Sequence, residues 1–158
     1  MALRVRLIAV GTRLPGWVND GYDDYARRLG PELRLELVEI PPGRRSAAGD
    51  AVTARAEEGR RILARVEPRS YTCALDVRGK ALDTEALSRW LALRMADGRD
   101  LALLVGGPDG LDPPCLERAD FRWSLSPLTL PHGLVRVVIA EQIYRAASLL
   151  KGHPYHRA

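Results

Sequence analysis

The sequence predicts an α/β layered domain: a parallel sheet with helices on both faces. Three observations carry this. Short segments of alternating or continuous apolar residues recur between amphipathic helical stretches along the chain, the signature of strands alternating with helices. Leu101-Ala-Leu-Leu-Val105 is apolar at every position, which suits a strand covered on both faces. No internal repeat and no long linker interrupts the 158 residues, so residues 1–158 read as a single domain.

The elements follow in order. Leu3, Val5 and Leu7 alternate with Arg4 and Arg6 before Ile8-Ala9-Val10-Gly11, a first strand ending in a glycine turn. Val18, Tyr22, Tyr25 and Leu29 recur at spacings of four, three and four, a helix stopped by Gly30-Pro31. Leu33 to Ile40 alternates again as a second strand. Pro41 to Asp50, with adjacent Arg44 and Arg45, has loop composition and is expected to be the most mobile segment. A helix to about Val66 follows. Tyr71 to Asp76 is a strand, and Asp83 caps a helix whose Leu87, Trp90, Leu91 and Arg94 share a face. Asp112-Pro113 pairs an N-cap with a first-turn proline, opening a short helix before a strand over Phe121 to Ser126. The last helix, His132 to about Leu150, is apolar nearly all round and must be covered on more than one side, by the sheet and by a second copy of the chain.

Composition narrows the class. With 46% hydrophobic and 28% charged residues, the chain is neither disordered nor low-complexity. No window approaches the roughly 18 apolar residues of a membrane helix, and Cys73 and Cys115 lack any zinc or redox spacing. A cytoplasmic protein with both cysteines reduced is expected, and no metal site. The net charge of +4 is unevenly placed. Residues 1–120 hold 19 basic and 19 acidic side chains, whereas residues 121–158 hold Arg122, Arg136, Arg145, Lys151 and Arg157 against Glu141 alone.

Three stretches carry candidate chemistry. Gly106-Gly-Pro-Asp-Gly110 follows the buried strand, where glycines let backbone approach a ligand; a plain turn explains the same residues. Ser124-Leu-Ser-Pro-Leu-Thr-Leu-Pro-His132 offers hydroxyls and main-chain groups without charge, suited to a neutral heteroaromatic ring; a helix-start loop fits nearly as well. The tail Lys151 to Ala158 sets Tyr155, His156 and Arg157 side by side, a stacking ring, a titratable base and a phosphate-binding fork; a solvated terminus is the bland account.

As an ordered set, Leu75-Asp76 with Gly79-Lys80, Gly106 to Leu111, Ser124-Leu-Ser126 with Thr129-Leu-Pro-His132, Leu134-Val-Arg136, Glu141 to Ala146 and Pro154-Tyr-His-Arg157 closely resemble the RlmH family, ribosomal RNA large subunit methyltransferases of the SPOUT class. The resemblance spans essentially the whole chain, with Val77, Cys73 and Leu14 as local departures. It implies a SPOUT-type α/β knot with a C-terminal trefoil, a homodimer, S-adenosylmethionine as cofactor, and methylation of N3 of a pseudouridine in 23S ribosomal RNA of the assembled ribosome. Carried over by position, it implies a cofactor pocket of Leu75, Gly106, Leu125, Ser126, Pro127, Leu128, Thr129 and Leu130. It places the tail residues, together with Arg145, on the substrate side; removal of the imide proton makes His156 the candidate base, Arg145 or Arg157 the candidate stabiliser of the deprotonated imide, and Tyr155 the ring that stacks on or orients the base. Arg157 and Arg136 are expected on the substrate side. A non-catalytic RNA-binding module and a SPOUT enzyme with another RNA target remain the alternatives, since a fold does not fix a target.

Overall fold

The protein is described from a computed structural model covering residues 2–46 and 49–156, the side chain of His156 excepted. The strands are β1 (Leu3–Val10), β2 (Leu33–Ile40), β3 (Tyr71–Ala81), β4 (Leu101–Val105) and β5 (Phe121–Ser124), with α1 (Gly16–Arg27), α2 (Asp50–Leu63), α3 (Thr84–Asp97), α4 (Pro113–Arg118) and α5 (His132–Leu150). A 3-10 turn covers Pro154–His156. The strands form one sheet in the order β2-β1-β4-β3-β5, and every neighbouring pair is parallel. The expected parallel α/β architecture is therefore present.

Alternation divides the core between the two faces. Val5, Leu7, Cys73, Leu101, Leu103 and Trp123 point to the face covered by α1, α3 and α5, where Tyr22, Trp90, Ile139 and Ile143 meet them. Ile8, Val10, Ile40, Ala102 and Leu104 point to the other face, against Ile62 of α2 and Cys115 of α4. Each half-burial is what a period of two residues enforces on a sheet covered on both sides. Both cysteines are buried and free. Asp83 caps α3 as expected, accepting from Ala86 N at 2.8 Å.

Three local expectations change. The strand read as Tyr71–Asp76 continues to Ala81, because the chain bulges out after Leu75 and rejoins β5 at Lys80 and Ala81. The strand read to Ser126 ends at Ser124, where Ser124 Oγ donates to the Ser126 carbonyl and Ser126 Oγ accepts from Leu128 N at 2.9 Å, a hydroxyl turn that ends pairing. Asp112 precedes α4 without a side-chain cap; its carboxylate instead accepts from Arg55 Nε at 3.2 Å.

Arg136 is placed differently from expectation. It is 0% exposed, with Nη1 donating to Glu39 at 2.7 Å and Nη2 to the carbonyls of Gly11 at 2.7 Å and Val10 at 3.3 Å. Those carbonyls terminate β1, and Gly11 has a φ of +128°, a backbone turn that side chains resist. The guanidinium satisfies groups that a strand end buried under a helix would otherwise leave unpaired. Arg136 thus pins the first turns of α5 to the end of β1 and is not on a surface that RNA reaches. Arg136→Ala is expected to lower the unfolding free energy by about 3 kcal/mol, seen as a lower urea midpoint at an unchanged slope; an unchanged midpoint would contradict the anchoring role.

Candidate active site

In a parallel sheet every strand delivers its carboxyl end to the same edge, where ligand clefts form. Here the ends of β4, β3 and β5 open into a cleft of about 500 Å³, within the range of small-molecule sites. Most of its wall comes from the glycine turn after β4, the bulge of β3 and the loop joining β5 to α5, completed by Arg55 of α2, Pro113 and Leu116 of α4, and Val135 of α5.

The glycine turn is compact. Gly110 N donates to the Gly107 carbonyl at 3.0 Å, and Gly110 has a φ of +76°. A Cβ on Gly106 would collide with the Gly110 carbonyl and sit 2.7 Å from Leu111 N. Gly106 is thus a position where only hydrogen fits, leaving bare backbone facing the cleft. The β3 bulge sends Asp76, Val77 and Arg78 into the opposite wall, and Gly79 lets the bulge return, since a Cβ there would lie 2.7 Å from the Arg122 carbonyl. The third wall, Leu125, Ser126, Leu128, Thr129 and Leu130, carries no charge, and Leu128 is 72% exposed.

His132, at the start of α5, also lines the cleft. Burial, followed by the charge of Arg136, pushes its imidazole below the ordinary value of 6.5, so the ring is neutral at pH 7. Arg55 of α2 and Arg78 line the cleft together with Asp76 and Asp109, and Arg55 is paired with Asp112.

A second cluster lies at the far end of α5. Glu141 Oε2 accepts from Arg145 Nη2 at 2.8 Å and Nε at 3.1 Å, and from the Tyr155 hydroxyl at 2.8 Å. Tyr155 packs edge-on against Tyr144 at 4.6 Å between centroids, and the Arg145 guanidinium lies 5.1 Å from the Tyr155 ring. Burial, then the bond to Glu141, raises the Tyr155 phenol above its ordinary value, which keeps it protonated as a donor. The bond to Glu141 likewise raises Arg145.

The structure brings together Leu75, Gly106, Leu125, Ser126, Leu128, Thr129 and Leu130 around one cleft; Pro127 belongs to the same loop but not to the lining. Arg145 and Tyr155 are brought to each other, not to that cleft. Val135 is the last residue of α5 to line the cleft, and Arg145 lies ten residues further on, about 15 Å at 1.5 Å per residue. Arg157 and the side chain of His156 lie outside the described residues. Arg55, Arg78 and His132 were not among the residues picked from sequence for the cleft. The bulge that delivers Arg78 is signalled only by Asp76 and Gly79 breaking an apolar run, and nothing local in α2 marks Arg55. The Arg45 side chain, expected in a solvated loop, is instead paired with Glu58 and Asp109.

Comparison with known proteins gives the family. Residues 3–156 match the family described as "Predicted SPOUT methyltransferase". Over 156 residues the chain is 64% identical to a protein named Ribosomal RNA large subunit methyltransferase H from Alkalilimnicola ehrlichii, covering 99% of this chain and 100% of that one. It is 55% identical to the protein of the same name from Nitrosococcus oceani, covering 99% of each. The chain belongs to the RlmH family of SPOUT methyltransferases. The ordered motifs, not any single one, had already pointed there. Among solved structures, a probable methyltransferase from Bordetella pertussis Tohama I shares the fold, with a TM-score of 0.59 at 20% identity, covering 92% of this chain and 96% of that one. A probable rRNA-methyltransferase from Porphyromonas gingivalis matches with a TM-score of 0.56 at 15% identity, covering 94% of this chain and 70% of that one. Among the described residues no helix is long and apolar enough to cross a membrane.

The depressed His132 value has a pH consequence. The unfolded ring takes up its proton near 6.5 while the folded ring resists, so this residue's contribution is complete above that pH and is lost as pH falls below it. Urea unfolding at pH 7.5 and pH 5 is expected to show a smaller acid-side loss in His132→Gln than in the unsubstituted protein; equal losses would contradict the burial of a neutral ring.

Proposed function

We propose that this chain methylates N3 of a pseudouridine in 23S ribosomal RNA of the assembled ribosome, using S-adenosylmethionine, as a homodimer with the C-terminal chain threaded as a trefoil knot. The observation that carries the donor assignment is the cleft itself. The residues expected from the family motifs to hold the cofactor converge on it from β3, the glycine turn and the 125–130 loop. The donor set fits the group. Gly106 leaves room for the methionine end beside bare backbone, and the uncharged loop offers main-chain donors and acceptors for adenine. When bound, S-adenosylmethionine supplies a methyl group on a sulfonium whose departure leaves a neutral thioether.

The remaining work falls to the chain's own side chains. N3 of a pseudouridine carries an imide proton that must leave for the nitrogen to attack. His156 accepts that proton, and Arg145 or Arg157 stabilises the imide anion. Tyr155 stacks on the base, a contact that requires the base to be unpaired because N3 lies on its pairing edge. Arg136, buried under α5, orients the helix and does not touch RNA. Separation of Arg145 from Val135, the last cleft-lining residue of α5, by about 15 Å of helix supports the dimer, in which the tail of one copy meets the donor cleft of the other. Leu134 and Val138, half-buried one turn apart at the start of α5, provide apolar surface for that pairing. The basic excess of residues 121–158 would then be doubled where RNA enters.

The test incubates purified protein and labelled S-adenosylmethionine with ribosomes from a strain lacking it, followed by mass spectrometry of the ribosomal RNA. One methyl per ribosome, at N3 of a pseudouridine of the 23S strand, is expected. Ribosome binding without transfer would favour a non-catalytic module, and transfer elsewhere would move the target. For the base, His156→Ala is expected to slow single-turnover transfer about 100-fold and to remove its acid limb; an unaltered rate across pH would exclude His156.

A further inference from the structure

The loop after β2 is fastened to the wall of the cleft. Gly43 lies so close to α2 that a Cβ there would collide with the Ala54 backbone, and its N–H donates to Glu58 at 2.9 Å. Two residues on, Arg45 turns back with Nη1 and Nη2 donating to the two Glu58 oxygens at 2.7 and 3.1 Å, while Nε donates to Asp109 at 2.9 Å. Glu58 is 1% exposed, and a lone carboxylate so placed is costly. Three donors on its two oxygens make the burial tolerable.

Glu58 also touches the glycine turn: a Cβ on Gly107 would sit 3.3 Å from its Oε1 and 3.0 Å from Val10. One guanidinium therefore joins the post-β2 loop, α2 and the turn that walls the cleft, across sequence separations of 13 and 64 residues. The Arg55–Asp112 pair makes a parallel tie from α2 to the residue before α4. With Nε and both terminal nitrogens of Arg45 engaged, its fork is not presented to phosphates, whereas Arg44 is exposed.

We propose that Arg45 is a positioning residue for the donor cleft, an inference that rests on the donor reading given above. By holding Glu58 beneath Gly107 and Asp109 at the tip of the turn, it sets the height of Gly106–Gly110 against the ligand. It touches neither the methyl group nor the base.

A double-substitution cycle tests this on the full chain, with S-adenosylmethionine affinity measured by calorimetry for the unsubstituted protein, Arg45→Ala, Asp109→Asn and both together. Arg45→Ala is expected to weaken donor binding about tenfold and Asp109→Asn several-fold, and the pair to be no worse than Arg45→Ala alone. Arg45→Lys keeps the charge but cannot bridge two carboxylates, so it recovers only part. Arg45→Ala strands the buried Glu58; if it fails to fold, Arg45→Lys, which keeps a cation beside Glu58, carries the test, and a donor affinity unchanged in it would overturn the proposal. Donor affinity unchanged in folded Arg45→Ala with weakened ribosome binding would overturn it in favour of an RNA contact, and strictly additive losses would overturn the coupling. Absence of binding by the unsubstituted protein would overturn the donor reading itself, a result distinct from equal affinity in all four.

Discussion

The site depends on where α5 is made to begin. β5 is the outermost strand beside β3, yet the first turns of α5 are fixed at the end of β1 by the buried Arg136, which holds the carbonyls of Val10 and Gly11 and the carboxylate of Glu39. Between β5 and β1 lie β3 and β4, so residues 125–131 must cross about 14 Å of sheet edge at roughly 4.8 Å per strand. They can do so only by passing over the carboxyl ends of those strands. The loop roofs the cleft because the helix it feeds is anchored on the far side.

The other two walls follow from similar demands. β4 is buried on both faces, so its chain must leave the sheet through a turn tight enough to return to α4, and Gly106 and Gly110 make that turn sterically possible. β3 bulges after Leu75 and re-pairs at Lys80, lifting Val77 and Arg78 into the space between turn and loop. The arrangement encloses a cleft whose loop wall is uncharged and whose charged lining, Arg55 and Arg78 with Asp76 and Asp109, is balanced.

Much of this was legible in the sequence, and the boundary has physical reasons. Strands at Leu33–Ile40 and Leu101–Val105 declared themselves because period two and continuous apolarity survive tertiary context. The helix at His132–Leu150 did so by length and the proline before it. The Gly106 and 125–130 segments were identified as the pocket because their order along the chain matched a family, and the fold then brought them to one cleft. Burial of Arg136 was not legible: a polar residue in an apolar helix reads as its wet side until the end of β1 is seen beneath it. Nor was the fastening of Arg45, whose partner Asp109 is 64 residues away. The extension of β3 to Ala81 was hidden because Asp76 to Gly79 has the composition of a turn.

In the proposed enzyme the methyl donor binds at the carboxyl edge of β3, β4 and β5, and the tail that handles the RNA base arrives from a second copy. A crystal structure of the full chain with S-adenosylhomocysteine tests both halves at once. The ligand is expected between the Gly106–Gly110 turn and the 125–130 loop, with Tyr155 of a neighbouring copy in the same dimer at the mouth of the cleft. A ligand bound elsewhere, or a cleft whose mouth no second copy approaches, would contradict it.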